Sequence, residues 1–236
     1  MVEAVWGNLS FEEAMDYFRR KLNIPTEQWD TLMRDQQVRA FSVAGVTSDA
    51  ILADLRREID RAIAEGLTID SFRATLADVV KKTGWDVGAA GVGYRARIIF
   101  NTNLANAYSA GRWVQQTSPA VRAVRPFLRY IPSVSKDPRP EHMAFYNLVL
   151  PSDDPFWATH YPPNGFGCKC GVQNLSGREL DALQERFAGT EYEIRTEAPP
   201  ERFYEYTRSD GTVIQVPVGI DPGWDYNPGM VYQEGI

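Results

Sequence analysis

The chain has 236 residues, 44% of them hydrophobic and 12% aromatic, which is enough to fill one large core or two small ones. A net charge of −6 argues against a uniformly basic nucleic-acid coat, and two cysteines are too few for a disulfide framework. No stretch approaches the roughly 18 to 20 apolar residues of a membrane span, and the opening MVEAVWGNLSFEEAMDYFRRK lacks the basic-then-apolar order of a signal peptide, so a cytoplasmic protein with no membrane partner is expected.

The first 85 or so residues read as short amphipathic helices. Ser10 with Glu13 forms a capping-box pattern, and Phe11, Ala14, Met15, Phe18 and Leu22 recur at helical spacing until Asn23 and Pro25 stop them. Thr26 is placed to cap a second helix carrying Trp29, Leu32 and Met33. A third, from about Ser48 to Ala64, shows Ile51, Leu52, Leu55, Ile59 and Ile63 and closes at Gly66; a fourth carries Phe72, Leu76, Val79 and Val80 before Gly84. Such stripes are the buried faces of packed helices and imply no cofactor.

Gly88, Gly91 and Gly93 follow no strand and lack GxGxxG spacing, so they read as a flexible entry to a long helix from about Val92 to Gln116 rather than a phosphate loop. Its small residues Ala105, Ala107, Ala110 and Gly111 invite the close approach of another backbone. Arg95, Asn101, Asn103 and Arg112 place polar groups along it, as solvent contacts or as partners for the domain that follows.

After Pro119 the texture changes. VRPFLRYIPS has the β-branched and aromatic content of a strand, and eight prolines from Pro126 to Pro163 largely exclude regular helix. Order returns where Ser176 and Glu179 form a second capping box, with Leu175 and Leu180 as a hydrophobic staple and Leu183 and Phe187 continuing the apolar face to Gly189. RFYEYTRSDGTVIQVPVG reads as a β-hairpin around Ser209-Asp210-Gly211, and IDPGWDYNPGM as turns. The expected fold is α+β and mainly α-helical: a helical region over 1–86, a long connecting helix over 87–118, and a small loop-rich α+β domain with the hairpin over 119–236.

Charge is unevenly spread. Between Val87 and Pro140 stand eight basic residues (Arg95, Arg97, Arg112, Arg122, Arg125, Arg129, Lys136, Arg139) against Asp137 alone, whereas twelve acids and four arginines follow from Glu179 onward. Either these are solvated faces, or Arg112, Arg122, Arg125 and Arg129 meet DNA or an acidic partner.

The two histidines, His142 and His160, and the two cysteines, Cys168 and Cys170, all lie between positions 142 and 170. These residue types bind zinc, and a loop-rich segment gains from such a staple, so a structural Cys₂His₂ tetrahedron is one reading. Partly buried thiols with hydrogen-bonded histidines are another. A catalytic cysteine, with His142 or His160 as base and Asp153 or Asp154 as orienting group, would make the protein a metal- or cysteine-dependent hydrolase or nuclease, but no spacing singles it out. Asp153-Asp154 fits a turn or cap before Phe156-Trp157.

Four stretches, YRARIIFNTNLANAYSAGRW, RPEHMAFYNLVLPSDDPFW, HYPPNGFGCKCGVQNLSGREL and GIDPGWDYNPG, resemble the Mu F-like phage head morphogenesis family, also called minor head proteins. The family's Arg-x-x-His, Pro-Pro-x-Gly-x-Gly-Cys-x-Cys and Pro-Gly-x-Asp-Tyr-Asn-Pro elements fall at Arg139–His142, Pro162–Cys170 and Pro222–Pro228. One departure is Tyr146-Asn147, where a glycine is common. The resemblance, over about Val92 to Met230, implies a low-copy component of the virion head or neck, made in the host cytoplasm during assembly. It further implies partners in the portal protein, the major capsid protein or scaffold, and phage DNA at packaging or ejection, with no enzymatic activity in this domain.

Overall fold

In the computed structural model, which describes residues 11–32, 39–132 and 137–235, the first amphipathic stripe forms helix α1, Glu12–Arg20. Its expected cap, Ser10, lies outside the described residues, as does Met33 of the next expected helix. Over the described part of that stretch, up to Leu32, the chain is not α-helical. Leu22–Asn23 (β1) pairs in parallel with Ala40–Phe41 (β2), Thr26 bridges to Val46, and Trp29–Thr31 form a 3₁₀ turn. Thr26 donates through its hydroxyl to the Gln28 carbonyl (2.7 Å) instead of capping. Long-range backbone pairing has overridden a local helical pattern.

The other helices stand close to where their patterns predict. Helix α2, Asp49–Glu65, and α3, Ile69–Thr83, both end on glycines in the left-handed region, Gly66 (φ 71°) and Gly84 (φ 69°). The long helix α4 covers Gly91–Gln116. Its small-residue stripe does what the sequence suggests: a Cβ on Gly111 would lie 2.6 Å from the Phe11 ring and 2.9 Å from the Ala14 amide nitrogen. Arg95 turns away from solvent, donating to the Ala44 carbonyl and lying over the Trp85 ring at 5.6 Å.

The chain divides into two compact units, Met1–Arg112 with Val231–Ile236, and Trp113–Met230. The first has its core between α1 to α4, with Phe18, Phe41, Leu52, Leu55, Ile59, Phe72, Leu76 and Phe100 buried. It also takes in Tyr232, whose hydroxyl donates to Asp16 and whose ring lies under Arg20 (4.8 Å) and edge-on to Tyr17.

In the second unit a short helix, Pro119–Val124 (α5), precedes the expected strand, which is confined to Phe127–Ile131 (β3). Between Pro126 and Pro163 the described residues form no helix longer than a single turn, as the prolines lead one to expect; α5 and the turn α6, Pro140–Met143, both carry proline in the first turn, where no N–H is needed. β3 is the centre of an antiparallel sheet between β4, Val149–Pro151, and β5, Gly171–Leu175, with Tyr130 opposite Val172 and Leu128 opposite Leu150. A further turn of helix, Trp157–His160 (α7), lies between them in sequence. Strand alternation sends Leu128 and Tyr130 into a core with Trp113, Phe145, Trp157 and Tyr161, while Phe127 joins Val149, Leu175 and Leu180 on the other face.

Helix α8, Gly177–Phe187, carries the full Ser176–Glu179 capping box, and β6, Phe203–Thr207, pairs with β7, Val213–Pro217, around Gly211 at φ 85°. The segment read as turns is partly helical. Asn227 accepts from the amides of Gly229 (2.9 Å) and Met230 (3.2 Å) and so caps α9, Pro228–Gln233. Helix makes up 47% and strand 14%, with the strands in small sheets, so the α+β, mainly helical expectation holds.

Candidate metal centre

His142 sits near the end of α6, buried, while Cys168 and Cys170 lie on the loop entering β5. His142 Nδ1 stands 3.7 Å from Cys168 Sγ and 3.5 Å from Cys170 Sγ, and the three donor atoms lie within 4.8 Å of one another. Beside them, the Tyr130 hydroxyl lies against Cys170. The fully buried Asn164 donates through Nδ2 to that same hydroxyl at 3.0 Å.

The thiols are unequal. The contact with Cys168, helped by donors from His142 and Tyr130, holds the Cys170 thiol down against the effect of burial. Cys168 is raised by its contact with Cys170 and by burial. Burial and the neighbouring sulfurs raise the Tyr130 hydroxyl.

His160 is not brought to this group. Its ring stacks on Phe156 with centroids 4.3 Å apart, meets Phe145 edge-on, and lies 2.7 Å through Nδ1 from the Thr159 hydroxyl. It borders a cleft of about 520 Å³ with Phe156, Thr159 and Pro199 among its walls, whereas His142 borders a separate cleft of about 320 Å³. Burial holds the His160 imidazole down at about 4, so it is neutral when folded. Below its unfolded value of 6.5 the unfolded chain binds the extra proton first, and stability falls as pH drops from about 6.5 to about 4. The loss amounts to about 3 kcal/mol across that window. Denaturant unfolding measured at several pH values should show this slope in the native chain and its reduction in His160→Phe.

The cysteine loop is held by residues that spacing alone does not reveal. Arg139 donates through Nη1 to Asp221 (3.0 Å) and through Nη2 to the Phe166 carbonyl (2.7 Å). Asp221 accepts from the Phe166 amide (3.0 Å), and its own amide donates to the Asn164 carbonyl (2.9 Å). Gly165 lies directly beneath, where a Cβ would run into the Asp221 carboxylate and the Arg139 guanidinium. Asn227 extends the same logic by donating to the Trp157 carbonyl (3.0 Å), and a Cβ on Gly229 would meet the Trp113 side chain. Asp154 accepts from the Phe156 amide (2.9 Å), the turn role expected of it.

The arginines are dispersed in role. Arg129 gives two bonds to Asn147 Oδ1, at 2.8 and 2.6 Å, and lies over the Tyr146 and Phe187 rings. Arg125 pairs with Glu179 at 2.9 Å. Arg122 and Arg112 are exposed. Asn147 itself adopts φ 59°, so it supplies the left-handed residue at the position where a glycine would be usual.

Comparison with known proteins gives a family model described as Phage Mu protein F like protein, matching residues 53–173. Protein F of Escherichia phage Mu, named for capsid assembly, is 35% identical over 92% of this chain and 54% of its own length. The FluMu F protein of a Mu-like prophage in Haemophilus influenzae is 28% identical over 86% of this chain and 53% of its own. The chain thus spans about half the length of these relatives. No solved structure matches it.

Proposed function

Because the chain belongs to the Phage Mu protein F like family, we propose that it is a head morphogenesis protein of a tailed phage or prophage, a low-copy structural component that acts beside the portal and capsid. The observation that carries this reading is the use made of the three sequence elements. Arg139, Phe166 and Asp221 bond to one another, and Asn227 bonds the Trp157 carbonyl and caps α9. Such an arrangement favours a rigid docking module over a substrate site, and supports a protein without enzymatic activity of its own.

The partners on this reading are the portal protein and the major capsid protein or scaffold. Direct use of DNA has less support, since Arg125 and Arg129 of the four candidate arginines are engaged within the second unit. Among the described residues no helix is long and apolar enough to cross a membrane. Quantitative mass spectrometry of purified procapsids and virions from the phage that encodes this chain tests the proposal. The protein should be present in both, far below the major capsid protein in amount; absence from both particles overturns the reading.

A further inference from the structure

A buried histidine beside two thiols can be a hydrogen-bonded group or a metal site; the S···N distances suit both, and the donor set with a buried, unpartnered oxygen beside it favours the metal. A tetrahedral zinc ion, with bonds of about 2.3 Å to sulfur and about 2.0 Å to nitrogen, sets sulfur–nitrogen edges of about 3.5 Å. The observed separations of 3.7 and 3.5 Å from His142 Nδ1 already match those edges. Two sulfurs with one imidazole also form a donor set that favours zinc over the oxygen-seeking divalent cations.

The expected fourth ligand does not fit. His160 is packed face to face on Phe156, its Nδ1 is taken by Thr159, and it stands outside the group of close donors. Asn164, in contrast, reaches the edge of the group through Nδ2, which donates to the Tyr130 hydroxyl beside Cys170. Its Oδ1 is buried with no hydrogen-bond partner, an atom that costs about 1 to 3 kcal/mol unless something is supplied to it.

We propose that His142 Nδ1, Cys168 Sγ and Cys170 Sγ bind one zinc ion and that an oxygen donor, not His160, completes the tetrahedron. Binding releases to solvent whatever proton the two sulfurs still hold and leaves two thiolates on the metal. The oxygen comes either from the Asn164 amide or from a water molecule. In both cases the ion ties the loop Pro162–Cys170 to α6, next to the Arg139–Asp221 pair that holds its other side. The assignment uses only side chains of the second unit and stands or falls separately from the head-assembly reading.

The test is zinc content and zinc X-ray absorption on the untagged chain, purified under reducing conditions and reconstituted with zinc sulfate. About one zinc per chain is expected in the native protein and in His160→Phe, and under about a tenth in His142→Ala and Cys170→Ser. Should those variants fail to fold, the absorption spectrum of the native chain decides: two sulfurs, one imidazole and one further light atom support the site. Two imidazoles, loss of zinc in His160→Phe, or a native chain that takes up no zinc overturns it. Chelator competition on Asn164→Ala identifies the oxygen. A drop in affinity of about tenfold or more assigns Asn164, and unchanged affinity assigns water.

Discussion

Gly165→Ala is expected to destabilise the second unit by about 3 kcal/mol, combining the cost of overpacking with weakened charged hydrogen bonds. The new methyl group falls where the ends of the Asp221 and Arg139 side chains now lie, so those ends must shift. Either the loop lifts or the ion pair opens, and each route also loses the Phe166 bonds to the same two side chains. Since Arg139 and Asp221 are 40% and 33% exposed, most of the effect is steric rather than electrostatic. Asp221→Ala alone should therefore cost less, and Gly165→Ala should cost less in the Asp221→Ala background than in the native one. Trp113, Trp157 and Trp224 report on this unit by fluorescence during denaturant unfolding. Additive effects of the two substitutions would overturn the steric explanation.

Asn147→Ala is expected to cost a similar amount for a different reason. An alanine held at φ 59° is strained by about 1 kcal/mol or more, because its Cβ approaches the following carbonyl. The substitution also removes the oxygen that accepts two bonds from Arg129 and the amide that donates to the Tyr192 carbonyl (2.6 Å). Losing a charged hydrogen bond at a buried group adds about 1.5 to 3 kcal/mol. Asn147→Gly separates the two contributions, since glycine tolerates the backbone and keeps only the second loss. It should unfold at higher denaturant than Asn147→Ala, by about 1 kcal/mol; equal stability of the two variants would show that backbone strain plays no part.

Local chemistry made some parts of this molecule legible. The Ser176–Glu179 box, the Gly66 and Gly84 stops and the Gly211 turn each need only a few neighbouring residues, and each stands as its residue types require. Where a distant strand or side chain decides, spacing is silent. Thr26 bridges to Val46 instead of capping a helix at Trp29, and Arg139 finds its partner 82 positions away. The metal-type residues show both cases. Residue type singled out His142, Cys168 and Cys170, but only packing shows that His160 spends its ring on Phe156 and Phe145. Asn227-Pro228 could have been read correctly, because an asparagine followed by a proline is a cap and first-turn pair, yet the neighbouring glycines and prolines masked it.

The place of Tyr232 bears on the order in which the chain can be made. It belongs to the first unit, where it touches Asp16, Tyr17 and Arg20, although 216 positions separate it from Asp16. A ribosome releasing the chain from its amino end therefore delivers all of the second unit before the last piece of the first. Residues 113–230 can close around β3 while α1 still waits for its final partner. A nascent chain stalled short of Tyr232 would leave the Asp16, Tyr17 and Arg20 face of α1 without that contact, while the core from Ala14 to Ala110 has already been delivered.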